Sequence, residues 1–189
     1  MTTEDRIRQD LDYVTSTVRR ERVGRGVPAV YFLWASIVPP GFALIDFFPQ
    51  SAGLYWCVFG IGGGALSWWL GMRDGRRHGF NDSALGRRYA LHWAIAAAGF
   101  MLAMLPAAVG LVDVDGALPG FLLVGGLVYA LAGVHLERPL LWVGVLMLAA
   151  YVVLVLLAPP HLWTVAGVMI ALALVWTGIA SLRQPVAAA

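Results

Sequence analysis

Asp46 lies deeper in an apolar segment of this chain than any other acid, and acids in such positions commonly bind protons or cations. No arginine lies nearby on the same side of the segment. The expected partner of its carboxylate is therefore His161, a hydroxyl such as that of Thr164, or a bound cation. The alternative is a hydrated carboxylate at the end of a membrane helix, and this is the interpretation we favour.

Two consecutive prolines, Pro39 and Pro40, interrupt the same apolar segment. Each lacks a backbone donor and leaves the carbonyl four residues earlier without its helical partner. Transporters use such breaks to coordinate ions near the middle of the membrane. In other membrane helices a proline only bends the chain, because neighbouring groups bond the freed carbonyl, and this is the interpretation we favour. The candidate intramembrane polar site consists of Ser36, Pro39, Pro40, Asp46 and His161.

Two histidines, His92 and His135, occupy the ends of separate apolar segments at similar depth. Histidines on facing helices can bind a haem iron or a metal ion. Glu137 lies two residues after His135 and so belongs to a different helix face. No further ligand completes a site, and we predict neither a metal nor a cofactor.

Five arginines between the second and third apolar segments form a candidate site for an anion or a lipid headgroup. Their paired N–H groups could hold a phosphate. The simpler explanation is that they only fix the orientation of the chain in the membrane. These residues are Arg73, Arg76, Arg77, Arg87 and Arg88.

Small residues recur every three or four positions along the second apolar segment. On a regular α-helix this spacing places them on one face, where they allow another helix to approach closely. Packing within one chain is the favoured interpretation, and a homo-oligomer interface through Gly60 and Gly64 is the alternative. This seam consists of Gly53, Cys57, Gly60, Gly64, Ser67 and Gly71, and a shorter series comprises Gly126, Ala130 and Gly133.

Six apolar segments of about 20 residues, each long enough to cross a membrane, position these side chains. Their short connections allow only antiparallel neighbours. We therefore predict an all-α integral membrane protein, a bundle of six transmembrane helices in up-down order. The predicted spans are 27–48, 53–72, 90–112, 117–136, 139–158 and 161–182, preceded by residues 1–26 and followed by a short tail, 183–189.

Residues 1–26 combine charges of both signs with a narrow apolar stripe formed by Ile7, Leu11, Val14 and Val18. The pattern predicts a short amphipathic helix followed by a basic linker. We favour a helix that lies on the membrane surface or on the protein's own connections. The alternatives are a short dimer interface and a helix that binds a membrane or cytoplasmic partner protein through residues 1–22.

All 13 cationic side chains of the chain are arginines, and all fall on one side of the predicted bundle. By the positive-inside rule, both termini are cytoplasmic, and the chain belongs in a cytoplasmic (inner) membrane of bacterial type. The basic face suits the anionic lipids of the inner leaflet. Nucleic acid is not an expected partner, because the arginines are spread over short connections.

The connections are too short to build an active site with a nucleophile and a base or a carboxylate pair. We therefore predict a non-enzymatic accessory, regulatory or assembly subunit that works through helix–helix contacts. The alternative is a small-molecule or ion transporter or channel that works as a homo-oligomer and uses the interrupted first helix and Asp46.

Overall fold

The computed structural model describes residues 26–77 and 83–183, with side chains in the second range from residue 86 onward. These residues form helices and no strand. The predicted amphipathic helix of the N-terminal arm lies outside the described residues, as do residues 184–189. The elements are α1 (Pro28–Phe47), α2 (Pro49–Tyr55), a π-helical segment (Trp56–Gly60), α3 (Ile61–Arg77), α4 (Ser83–Ala108), α5 (Val114–His135), α6 (Arg138–Leu157) and α7 (Leu162–Leu182).

Five of these helices, α1 and α4 to α7, are long and apolar enough to cross a membrane. The protein is therefore an all-α, multi-pass membrane protein, as predicted. Local signals explain several of the helix ends. Pro28 begins α1, where its missing N–H costs nothing. Asp113 caps α5 by accepting a hydrogen bond of 2.7 Å from the backbone N–H of Gly116.

The predicted second span is not a single α-helix. A continuous helical run from Pro49 to Arg77 comprises α2, the π-helical segment and α3, and none of the three qualifies alone as a membrane-spanning helix. We call it the second helical run. A π-helical turn holds more residues than an α-helical turn, so it rotates the residues after it relative to those before it.

The tightest packing joins α1 to α7 and α5 to α6. A Cβ atom at Gly133 would collide with the backbone of Leu141, and one at Gly144 would collide with the backbone of Ala130. The small residues of α5 therefore allow backbone contact with α6, as membrane helix pairs commonly require. For this shorter series, internal packing is confirmed.

The second helical run packs mainly on α1 and is peripheral to the other helices. A Cβ atom at Gly63 would lie 2.8 Å from Cδ1 of Ile37. The indole N–H of Trp34 donates a hydrogen bond of 3.0 Å to Oγ of Ser67. Gly63, rather than Gly64, therefore faces α1. The buried positions lie one residue before those of the predicted seam, both ahead of the π-helical segment, where Ala52 is buried and Gly53 exposed, and after it, where Gly63 is buried and Gly64 exposed.

The two prolines of α1 do not break the helix, which continues without interruption from Pro28 to Phe47. The hydroxyl of Tyr55, in the second helical run, donates a hydrogen bond of 2.8 Å to the carbonyl of Ile37. Oγ of Ser36 bonds the carbonyl of Leu33 in its own helix, at 2.7 Å. The first helix is therefore not interrupted at the prolines, and the favoured interpretation, a bend in a continuous helix, stays a prediction.

Candidate functional site

Glu137 is an acid buried at the connection between α5 and α6, with 6% of its surface exposed. The sequence places it between two apolar segments and beside Arg138, which indicates an ordinary charged connection. In the structure it precedes the first turn of α6, and its backbone N–H donates to the carbonyl of Ala132 at 2.9 Å. The chain therefore turns back tightly and carries the carboxyl group into the bundle.

Both oxygens of the Glu137 carboxyl accept hydrogen bonds from tyrosines. The hydroxyl of Tyr89, near the start of α4, donates to Oε1 at 2.7 Å, and the hydroxyl of Tyr31, in the first turn of α1, donates to Oε2. Three segments far apart in sequence thus meet at one carboxyl group. We call Tyr31, Tyr89 and Glu137 the Glu137 junction.

The chain entering α1 covers this junction. A Cβ atom at Gly26 would collide with the hydroxyl of Tyr31 and with Oε2 of Glu137. Burial raises the pKa of the Glu137 carboxyl above its ordinary value, and the hydrogen bonds from the two tyrosines lower it without cancelling that effect. The junction is therefore a shielded, protonatable contact at the end of the bundle where α1 begins.

The role of Glu137 is not evident from the sequence, because an acid in a short connection is usually exposed. A weak signal was present in Tyr31 and Tyr89, which lie near the same predicted end of their spans. Two tyrosines at one depth need hydrogen-bonding partners when they are buried, and Glu137 is the acid at that end between two apolar segments.

His92 and His135 do face each other, with ring centroids 5.0 Å apart. Nε2 of His92 is buried and has no hydrogen-bond partner, and its ring also packs edge-on against Trp93 at 5.2 Å. Within the described residues, no group of three or more histidines, cysteines or acids is arranged to hold a metal ion. In the part of the chain that the structure describes, these two histidines therefore have no third candidate metal ligand beside them.

Asp46 connects α1 to α7 at the opposite end of the bundle. Its Oδ2 accepts hydrogen bonds from the backbone N–H of Thr164 at 2.7 Å and from its hydroxyl at 2.6 Å. His161 precedes α7 in a left-handed conformation and provides no side-chain cap. Asp46 therefore supplies the acceptor that the first turn of α7 lacks.

Of the partners predicted for Asp46, Thr164 is the one observed. The ring of His161 instead packs on Phe47, with centroids 4.7 Å apart. Ser36 bonds within its own helix, and the prolines lie about 10 Å from Asp46 along α1. The predicted polar site is therefore not assembled as one cluster.

Three of the five predicted arginines converge at the end of α3. Arg73, Arg76 and Arg77 line an open depression together with Trp69 and Met72. Arg87 and Arg88 are exposed near the start of α4 and do not line it.

The seam of the second helical run is largely open. A Cβ atom at Gly53, Gly64 or Gly71 would have no neighbour within 4 Å, and Cys57 is exposed. Internal packing is therefore the wrong interpretation for these positions, and Ser67 is the seam residue that bonds α1. The homo-oligomer interface stays a prediction. No protein family, curated protein or solved structure matches the chain, so its function has to be argued from this geometry.

Proposed function

We propose that this chain is a small accessory, regulatory or assembly subunit of a bacterial-type inner membrane, with both termini in the cytoplasm, and that it acts through helix–helix contacts. The observation that carries this proposal is the peripheral second helical run. It packs on α1 through Gly63 and Ser67 and leaves Gly53, Cys57 and Gly64 uncovered. Small exposed residues on a membrane helix permit close approach by another helix.

The polar groups inside the bundle support this role because they join helices to one another. The carboxyl of Glu137 is bonded through both oxygens, and Asp46 is bonded to Thr164. Trp34 is bonded to Ser67 between α1 and α3. These hydrogen bonds join the helices of the bundle to one another. The second helical run packs mainly on α1, so its other faces are accessible.

The transporter alternative receives less support from the same geometry. It depended on an interrupted first helix and on Asp46 as an ion ligand. The first helix is continuous, and Asp46 accepts two hydrogen bonds from Thr164. The hydrogen bonds to Thr164 therefore account for Asp46 without a bound ion, and the expected break is not observed.

Cys57 provides a direct test, because it is the single cysteine of the chain and is exposed on the second helical run. Thiol cross-linking in native membranes, followed by mass spectrometry, should give an adduct to a partner protein or to a second copy. The matched control carries Cys57→Ser with Ala97→Cys, which moves the thiol to an exposed position on α4.

We expect an adduct through Cys57 that is several-fold weaker in Gly64→Ile and absent from the Ala97→Cys control. Equal cross-linking from both positions would indicate random collision. That result, or no adduct from Cys57, would refute the proposal.

A further inference from the structure

The end of α3 carries a depression whose lining is polar at one end and apolar at the other. Its volume is about 400 Å³, and it is lined by Trp69, Met72, Arg73, Arg76 and Arg77. These residues follow one another at spacings of three, one, three and one, which places them on one face of the helix. The described residues that line the depression therefore share one face of α3.

One of the basic groups of this face, that of Arg73, lies over an aromatic ring. The guanidinium of Arg73 lies 5.2 Å from the centre of the Trp69 ring, within the range of a cation–π contact. Arg73, Arg76 and Arg77 are exposed, so their N–H groups are accessible to an anion. Guanidinium groups bind phosphate oxygens through paired hydrogen bonds.

The dimensions of the face match the boundary of a lipid bilayer. Trp69 and Arg77 are eight residues apart, which corresponds to about 12 Å along the helix. The polar headgroup layer on each side of the hydrocarbon is about 5 to 8 Å thick. Trp69 and Met72 can therefore contact the hydrocarbon edge while the arginines reach the headgroups.

We propose that this face is a binding site for an anionic phospholipid, whose phosphate is held by Arg73, Arg76 and Arg77 and whose glycerol and upper acyl chains lie on Trp69 and Met72. A free phosphate offers the same oxygens but gains nothing from the apolar part of the lining. The site does not depend on the proposed subunit function, because it requires no partner protein.

Native mass spectrometry of the full chain in mixed micelles can test this site with phosphatidylglycerol, phosphatidylcholine and inorganic phosphate as separate probes. The variant carries Arg73→Gln, Arg76→Gln and Arg77→Gln. The matched control carries Arg87→Gln, Arg88→Gln and Arg138→Gln, which removes three exposed positive charges from the same predicted side. Melting temperatures verify that both proteins fold.

We expect phosphatidylglycerol bound to the triple variant of α3 to be about tenfold lower than that bound to the control, because the variant loses several charge-assisted hydrogen bonds. Trp69→Ala should also reduce retention, whereas Trp142→Ala, at another exposed tryptophan, should not. Equal loss in variant and control would show that net charge alone attracts the lipid. Equal retention of phosphatidylcholine, or displacement of the lipid by millimolar phosphate, would also overturn the proposal.

Discussion

The hydroxyl of Tyr89 donates a hydrogen bond of 2.7 Å to Oε1 of Glu137, a residue 48 positions later in the chain. The second oxygen of the same carboxyl accepts from Tyr31, which is 106 positions away. One side chain therefore holds the start of α1 and the start of α4 against the connection between α5 and α6. Because this carboxyl joins three separate segments, the junction should contribute measurably to stability.

Removing one hydroxyl from the junction should destabilise the fold. Tyr89→Phe leaves Oε1 of a buried carboxyl without its donor, and we expect a loss of about 1 kcal/mol in the free energy of unfolding. Unfolding in mixed micelles, followed by tryptophan fluorescence, measures this change. The control is Tyr151→Phe, since no hydrogen bond of the Tyr151 hydroxyl is present among the described residues. Equal effects of the two substitutions would contradict the structural role of the junction.

The stability of the protein should fall as the pH rises through the titration of Glu137. Its pKa is raised above the ordinary value of 4.5, mainly by burial, so the folded state binds the proton more tightly than the unfolded state. The resulting stabilisation is fully present below pH 4.5 and is lost as the pH rises through the higher folded-state pKa. Glu137→Gln should remove this dependence. A wild-type pH profile that is parallel to that of Glu137→Gln would show that Glu137 does not titrate in this way.

Asp46 should act as a helix cap that is supplied by another helix. We expect Asp46→Leu to cost about 1 to 2 kcal/mol, because the first turn of α7 loses its acceptor. Asp46→Asn should cost less, since its amide oxygen can still accept. The control is Asp115→Asn, at an exposed acid in the first turn of α5. If Asp46→Leu is as stable as the control, the capping role is wrong.

Glycine-to-alanine substitutions should affect stability differently at the packed α5–α6 interface and on the uncovered face of the second helical run. Gly133→Ala places a methyl group against the backbone of Leu141 and should cost about 1 to 3 kcal/mol. Gly64→Ala meets no atom within 4 Å, so it should be neutral or stabilise the monomer by up to about 1 kcal/mol. Both are measured by thermal unfolding in detergent. A destabilising Gly64→Ala would mean that this position is covered.

The helical membrane class and the approximate positions of five apolar helices could be predicted from the sequence, because a helix that crosses hydrocarbon must satisfy its backbone internally and be about 20 apolar residues long. The bounds were less predictable, since the span expected at 90–112 is the helix Ser83–Ala108. The small-residue series of α5 was also predictable as packing. Thr164 could be named as one partner of Asp46, because it is a hydroxyl near the same predicted interface.

Three features depended on tertiary structure. The second helical run places Gly63 rather than Gly64 against α1, and the sequence pattern does not distinguish these two adjacent glycines. The first helix continues through Pro39 and Pro40, and Tyr55 bonds an adjacent carbonyl from the second helical run. The arginines of one connection separate into a clustered set on α3 and an exposed pair on α4.

By itself, the sequence determined the class of protein and the positions of its apolar helices, since hydrophobicity and length are local properties. Only the tertiary structure shows that Glu137 is buried and hydrogen-bonded to two other helices, instead of being an exposed charge. Its burial depends on Tyr31 and Tyr89, which are distant in sequence and reach it through the packing of the helices that carry them.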